Sequence, residues 1–227
     1  MNTIWMPNIS LAVSVLALAI SAVTAWLTLF RRGTVKMTQP TVIYLGSDKV
    51  HLGESTGPTK IYIRTLLFST SKRGRVIESM HVSLSRSETN QNFNVWVHGG
   101  GSSDKLVRGS GLFVGETGVA TDHHFLAPED SKYFQLSAGP YRLTVYAKLI
   151  GDATALVLFT QSLEITIDHA IKLQQPGTGV YFDWGPESSR YLSHVERRAL
   201  PQLPDALAHA IASRLATMEP FVDGDAD

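Results

Sequence analysis

The residues best suited to binding a metal ion are three consecutive polar side chains, Asp122, His123 and His124. Carboxylate oxygens and imidazole nitrogens are ordinary zinc ligands, and a zinc site needs at least three protein ligands. In a strand, His123 and His124 point to opposite faces, so only Asp122 and His124 could share one ion. His98 or Asp104 would have to supply the third ligand. Because no established ligand spacing is present, ordinary hydrogen-bonded histidines explain the pattern as well, and we predict no metal site.

Other patterns that carry chemistry are weak. The glycines at 109, 111, 115 and 118 do not have phosphate-loop spacing, and strand turns and bulges explain them better. We expect no serine in a G-x-S-x-G nucleophile elbow, since Arg108 stands where the first glycine should be. The chain has no cysteine, which excludes disulfides, thiolate zinc sites and cysteine nucleophiles. We therefore predict no catalytic residue, no cofactor, and a protein that is not an enzyme.

Aromatic side chains favour recognition over catalysis. In the alternating run from Phe93 to His98, Trp96 falls on the polar face, where it would contact solvent and could bind a partner. The alternative is that the terminal helices cover this face of the sandwich. A second group contains Tyr181, Phe182 and Trp184. These three are partner-binding candidates, with the alternative that they pack onto the domain and cover an open edge.

The elements that would position these residues are β-strands. Apolar and polar residues alternate in several runs between residues 40 and 167, most regularly from Tyr141 to Leu149, and turn residues separate the runs. The pattern predicts a mainly β fold, an antiparallel sandwich over 33–170. Residues 171–227 should hold an aromatic segment, one or two helices and an acidic tail. The helices are predicted over 186–198 and 204–218.

Residues 1–32 are predicted to form a transmembrane anchor. Ile9 to Phe30 is a run of 22 residues without a charged side chain, and a helix of that length rises roughly 33 Å, enough to cross a bilayer. A cleaved signal peptide is the alternative, but positive charge follows the apolar run instead of preceding it. Arg31, Arg32 and Lys36 favour a single pass through the inner (plasma) membrane with the C-terminal domain in the cytoplasm.

Small side chains form one stripe along the predicted anchor. The stripe consists of Ser10, Ser14, Ala17, Ser21, Thr24 and Thr28. Small residues let helices approach closely in lipid, so self-association or a contact with a partner helix is one interpretation. The other is that the hydroxyls bond to carbonyls one turn back in their own helix.

The chain resembles a group of uncharacterised bacterial single-pass membrane proteins with a β domain. The resemblance rests on the junction from Arg31 to Thr38 and on the segment from Tyr181 to Pro186. The stretch from Leu136 to Tyr141 is also similar to the entry of a late strand in immunoglobulin-like domains, although the cysteines of true immunoglobulin domains are absent. These resemblances imply a membrane-anchored immunoglobulin-like sandwich and carry no activity.

The sequence as a whole predicts a membrane-anchored, non-enzymatic protein-interaction module on the cytoplasmic face. Its expected partners are the lipid bilayer and a protein, or a second copy bound through the transmembrane helix. Lys plus Arg and Asp plus Glu balance at 20 each, so no basic field for nucleic acid is expected. An extracytoplasmic ligand-binding sandwich is the alternative, and a histidine-dependent metalloenzyme is a further one.

Overall fold

A computed structural model describes residues 5–30, 32–47, 58–99, 106–109, 111–128 and 134–197. The first element is helix α1, Trp5–Ala25, which continues as a π-helical turn over Trp26–Phe30. Among the described residues, one helix is long and apolar enough to span a membrane, and its apolar side chains are exposed. A sheet-rich body follows, so the predicted combination of an apolar N-terminal helix and a mainly β fold is confirmed.

Thirteen strands are present in the described part of the chain, and every pairing between them is antiparallel. They are β1 (Val35–Met37), β2 (Val42–Ser47), β3 (Thr59–Ser69), β4 (Arg75–Arg86), β5 (Thr89–Phe93), β6 (Val95–Gly99), β7 (Val107–Arg108), β8 (Leu112–Val114), β9 (Val119–Leu126), β10 (Gly139–Leu149), β11 (Leu156–Ile165), β12 (Thr178–Gly185) and β13 (Arg190–Arg197). The alternating burial along β9 and β10 matches the period of two in their sequences.

The strands form two sheets. The larger sheet has the order β13-β12-β2-β3-β9-β6-β7, and β1 also pairs with β3. The smaller sheet has the order β11-β10-β4-β5, and β8 also pairs with β4. Buried side chains from both sheets form one core cluster, which makes the arrangement a sandwich. Ile63 and Phe125 enter this core from the larger sheet, and Val82 and Val145 enter it from the smaller one.

The chain changes sheets at Asn94. Phe93 ends β5 in the smaller sheet and is buried, whereas β6 pairs with β9 in the larger sheet from Val95 onward. This crossing shifts the alternation by one residue, so Trp96 points into the core.

Tyr141 fixes the loop before β10. Its hydroxyl accepts a hydrogen bond from the backbone N–H of Ser137 and donates one to the carbonyl of the same residue, both at 3.0 Å. The ring itself is buried in the core. Arg86 lies over this ring, 5.8 Å from its centroid, and donates a hydrogen bond to the carbonyl of Ala138.

The segment after β11 differs from the prediction in one respect. The predicted helix over 186–198 is wrong, because β12 and β13 form a hairpin that extends the larger sheet through Arg197. Tyr191 and Val195 pack against the core from one face of β13, which favours a strand. The helix that does form is α2, Ile167–Leu173. Its N-cap is Thr166, whose side chain accepts a hydrogen bond from the N–H of His169. The helix predicted over 204–218 and the acidic tail lie outside the described residues.

Candidate functional site

The outer face of the larger sheet has a row of aromatic side chains that crosses five adjacent strands. Cross-strand pairing places His194, Tyr181, Tyr44, Tyr62 and His124 next to one another in this order. Ring centroids are 5.3 Å apart between His194 and Tyr181, 4.8 Å between Tyr181 and Tyr44, and 5.0 Å between Tyr62 and His124. We call these five residues the aromatic row.

Tyr44 is fully buried in the middle of the aromatic row. Its ring lies over two glycines, since a Cβ on Gly179 would come within 2.1 Å of the ring and one on Gly46 within 2.7 Å of the hydroxyl. The hydroxyl donates a hydrogen bond to the carbonyl of Ser47. Glycine at both positions therefore lets the central ring lie flat on the sheet.

Charged and polar groups flank the aromatic row. The hydroxyl of Tyr62 donates a hydrogen bond of 3.1 Å to Asp122, and the guanidinium of Arg64 lies 3.7 Å from the same carboxylate. At the other end, Nδ1 of His194 lies 3.1 Å from the carboxylate of Asp183. The outer face thus combines rings, a cation and carboxylates within a few ångströms.

The phenolic hydroxyl of Tyr62 acts as a hydrogen-bond donor. Burial, together with the nearby Asp122 carboxylate that it binds, raises the pKa of Tyr62 to about 12. The phenol therefore stays protonated at neutral pH and acts as a hydrogen-bond donor, not as a base. Such a surface can bind a partner by ring contacts and hydrogen bonds.

The structure separates the three weak candidates for metal ligands. Asp122 and His124 share the outer face of β9, as the alternation predicts, and both contact Tyr62. His98 lies on the inner face, where its ring is 4.8 Å from that of the buried Trp96. The sheet therefore stands between His98 and the other two residues. Within the described ranges, no three His, Asp or Glu side chains are grouped so as to hold a metal ion, and Asp104 lies outside those ranges.

The prediction that Trp96 faces solvent is wrong. The side chain is 4% exposed and packs in the core. Its indole Nε1 donates a hydrogen bond to Nδ1 of His123, which is itself fully buried. The crossing at Asn94 is the physical reason, because it reverses the face on which each residue of β6 lies.

The second group of partner-binding candidates is divided between the two faces. Tyr181 belongs to the aromatic row, whereas Phe182 is 2% exposed and part of the core. Trp184 packs edge-on against Tyr191, and the hydroxyl of Tyr191 donates to the carbonyl of Pro40. Phe182 and Trp184 therefore help to hold the β12–β13 hairpin on the sandwich, and Tyr181 alone of the three belongs to the outer surface described here.

The small-residue stripe of α1 bonds within its own helix. Ser14, Thr24 and Thr28 each donate a hydrogen bond to the carbonyl four residues earlier. This is the alternative that the sequence left open for the hydroxyls. The contact predicted between helices stays a prediction.

Sequence reasoning missed Tyr44 and Tyr62 as members of the site. Each lies at an outward position of its own strand, but only the pairing of β12 with β2 and of β2 with β3 aligns them with Tyr181. Sequence reasoning also missed residues 53–57, Gly-Glu-Ser-Thr-Gly, which match G-x-S-x-G by letter. A nucleophile elbow joins a strand to a helix, whereas this segment joins β2 to β3, which pair antiparallel. Residues 53–57 lie outside the described ranges.

Comparison of the chain with protein-family models, with curated proteins and with solved structures finds no match.

Proposed function

We propose that the chain is a non-enzymatic, membrane-anchored module that binds a protein partner through the aromatic row. The observation that carries this proposal is the alignment of five aromatic side chains across five strands on one outer face. Tyrosine and arginine are enriched where protein interfaces hold most of their binding energy, and both occur here. The row is also rigid, because its rings are fixed by sheet pairing and by the two glycines below Tyr44.

The membrane part of the proposal rests on α1. Its apolar side chains are exposed to whatever surrounds the helix, which suits lipid. The cations at 31, 32 and 36 support a single pass through the inner membrane with residues 31 to 227 in the cytoplasm. The stripe of small residues supports self-association through α1 or a contact with a partner helix.

An immunoglobulin-like topology is part of the same proposal. The orders β2-β3-β9-β6 and β11-β10-β4-β5 match the A-B-E-D and G-F-C-C′ orders of an immunoglobulin sandwich. Tyr141, at the start of β10, bonds the backbone four residues upstream in the manner of a tyrosine corner. The assignment to the bacterial single-pass group rests only on the motifs at 31–38 and 181–186.

Partner binding is tested with matched pairs of variants. The full chain is purified in mild detergent, and proteins that remain bound to it are identified by mass spectrometry. We expect Tyr181→Ala and His124→Ala to lose a bound protein by tenfold or more. The controls are Tyr146→Ala and His81→Ala, a stacked Tyr–His pair 4.7 Å apart on the outer face of the smaller sheet. These should retain it.

Two results would count against the proposal. One is a solitary monomer under every purification condition. The other is equal loss of the partner from both pairs of variants. A chain that ends at Arg197 tests whether residues 198–227 compete with the partner for the aromatic row. Stronger partner binding after this truncation would show such competition.

Orientation is tested separately with reporter fusions at the C-terminus. A reporter that is active only in the cytoplasm supports the proposed topology. A reporter active only outside the cytoplasm would reverse the compartment and favour the ligand-binding alternative.

That alternative has one observation in its favour. A cavity of about 530 Å³ lies between α2, the start of β12 and the residues before β10, and no charged side chain is among its lining residues. Thr178 lines it and has a buried hydroxyl without a hydrogen-bond partner in the described part of the chain. Such a cavity suits a small uncharged ligand. Thermal stabilisation of the chain by neutral metabolites, lost in Ala170→Trp, would support this function.

A further inference from the structure

We infer that the end of the sandwich next to the transmembrane helix binds the phosphate of an anionic phospholipid headgroup. This inference rests on the anchoring proposed above and adds a lipid site to it. Three features of the structure support it: the position of the β3–β4 turn, the charge of the cavity beside it, and two exposed apolar side chains at its rim.

The β3–β4 turn contacts the connector that leaves the helix. The backbone N–H of Thr34 donates to the hydroxyl of Thr70, and the N–H of Thr70 donates to the carbonyl of Thr34. Gly33 lies so close to Ser71 that a Cβ on the glycine would come within 2.5 Å of it. Phe30 ends the helix three residues earlier, and three residues span at most roughly 10 Å. The headgroup layer is only about 5–8 Å thick on each side of the hydrocarbon, so the turn lies within reach of it.

The cavity at this contact is basic. It measures about 300 Å³, and its lining includes Arg32, Arg73, Arg75 and the small residues Gly33, Ser71 and Gly74. Arg75 is held in place, because its guanidinium donates to the carbonyl of Gly33 and lies 2.7 Å from Asp152. Arg32, Lys72 and Arg73 are exposed. Arginine forks and a nearby serine match the oxygens of a phosphate.

Apolar side chains are exposed around the same end. Phe113 is 60% exposed, and its ring lies beside Gly74, where a Cβ would come within 2.6 Å of it. Ile150, which is 59% exposed, lines the basic cavity. Exposed apolar groups next to arginines suit the boundary between headgroups and acyl chains. A free phosphate ion would gain nothing from these side chains, so the structure favours a lipid over a soluble anion.

The test uses the full chain in detergent micelles and three probes: a short-chain phosphatidylglycerol, the matching phosphatidylcholine, and inorganic phosphate. Native mass spectrometry counts bound lipid, and a thermal shift gives the apparent affinity. We expect wild-type protein to prefer phosphatidylglycerol. Each cation near a membrane surface is worth about 1 kcal/mol, so the double variant Lys72→Gln/Arg73→Gln should bind it roughly 25-fold more weakly.

Two control variants make the result specific. Arg142→Gln/Arg190→Gln removes the same charge from exposed positions elsewhere on the sandwich and should stay within twofold of wild type. Lys72→Arg keeps both the charge and the guanidinium of Arg73, and it should retain the affinity. The inference is overturned if Lys72→Gln/Arg73→Gln binds like wild type, if phosphatidylcholine binds equally well, or if inorganic phosphate competes at the same concentration as the lipid.

Two measurements on the same proteins distinguish a failure of the proposed membrane anchor from a failure of the headgroup site. Retention in alkaline-washed membranes and an intact mass that includes residues 1–30 show that the helix stays in place. Loss of both from wild-type protein would overturn the anchor, whereas a normal result combined with absent lipid preference would overturn only the headgroup site.

Discussion

Trp96 donates a hydrogen bond from its indole Nε1 to Nδ1 of His123, 3.1 Å away inside the sandwich. The accepting Nδ1 carries no proton in this arrangement, so the proton of the neutral ring lies on Nε2, which has no partner within the described ranges. Burial, with smaller effects from His98 and His124, lowers the pKa of His123 to about 3. The larger sheet therefore carries an imidazole that must remain neutral.

His123 should make the fold sensitive to acid. In the unfolded chain the imidazole binds a proton near pH 6.5, whereas the folded chain resists protonation until about pH 3. Stability is therefore complete above pH 6.5 and is lost as the pH falls toward 3, by up to about 1.4 kcal/mol per pH unit. Denaturant unfolding of the full chain in micelles between pH 7 and 4.5 measures this slope. His123→Gln should reduce the slope relative to wild type. Equal slopes in the two proteins would contradict the assignment.

Tyr141 should stabilise the fold through its hydroxyl. Tyr141→Phe keeps the ring in the core but removes both hydrogen bonds to Ser137. Because the backbone N–H of Ser137 loses its partner, we expect a loss of about 1–2 kcal/mol in the free energy of unfolding. Tyr146→Phe is the control, since that side chain lies on the outer face of the smaller sheet and stacks on His81. A change below about 0.5 kcal/mol is expected there, and similar values for both variants would argue against a structural role of the hydroxyl.

Gly179 should not tolerate even one added carbon. Gly179→Ala would place a Cβ 2.1 Å from the ring of Tyr44, so the ring must move and the aromatic row with it. Overpacking of this kind costs about 1–3 kcal/mol, measurable as a lower unfolding midpoint. Gly115→Ala is the matched control, because nothing lies closer than 3.7 Å to its added Cβ. If the row is the binding surface, Gly179→Ala should also weaken partner binding, which Gly115→Ala should not.

The phenol of Tyr62 should lose its proton at a higher pH than an ordinary tyrosine. Its pKa of about 12, against an ordinary 10.0, means that the folded protein keeps the phenolic proton longer than the unfolded chain does. The stabilisation is thus complete below pH 10 and is lost as the pH rises from 10 to 12. Near-ultraviolet titration of tyrosinate follows this step. Burial also raises the pKa of Tyr191 to about 12, so Tyr62→Phe should lower the amplitude of the step without abolishing it. Asp122→Asn should move the step to lower pH, whereas Asp183→Asn should leave it in place. A step that is insensitive to Asp122 would show that the carboxylate does not hold the proton.

The strands of the sandwich could be predicted because alternation is a local property. The run from Tyr141 to Leu149 shows its buried face directly in the sequence, and β10 follows it closely. Position 96 could not be predicted in the same way. The crossing at Asn94 depends on which sheet each half of the chain joins, and a single shift of one residue exchanges the two faces.

The candidate site could be predicted only in part. Tyr181 was identified from its cluster of aromatic residues, but its neighbours in space come from strands far away in the sequence. The helix predicted over 186–198 is wrong because β13 pairs with β12 along its whole length. Pairing between strands decides the conformation of this segment, and local propensity cannot express it.

The double hydrogen bond between Thr34 and Thr70 has a consequence for where an anchored module could work. Only three residues lie between the end of the helix and this hydrogen-bonded contact, so the linker between the helix and the sandwich is very short. A sandwich anchored in a bilayer by this helix could not reach molecules far from the membrane surface. A protein that binds it would have to diffuse along that surface or present its contact site at the same small, fixed distance from it.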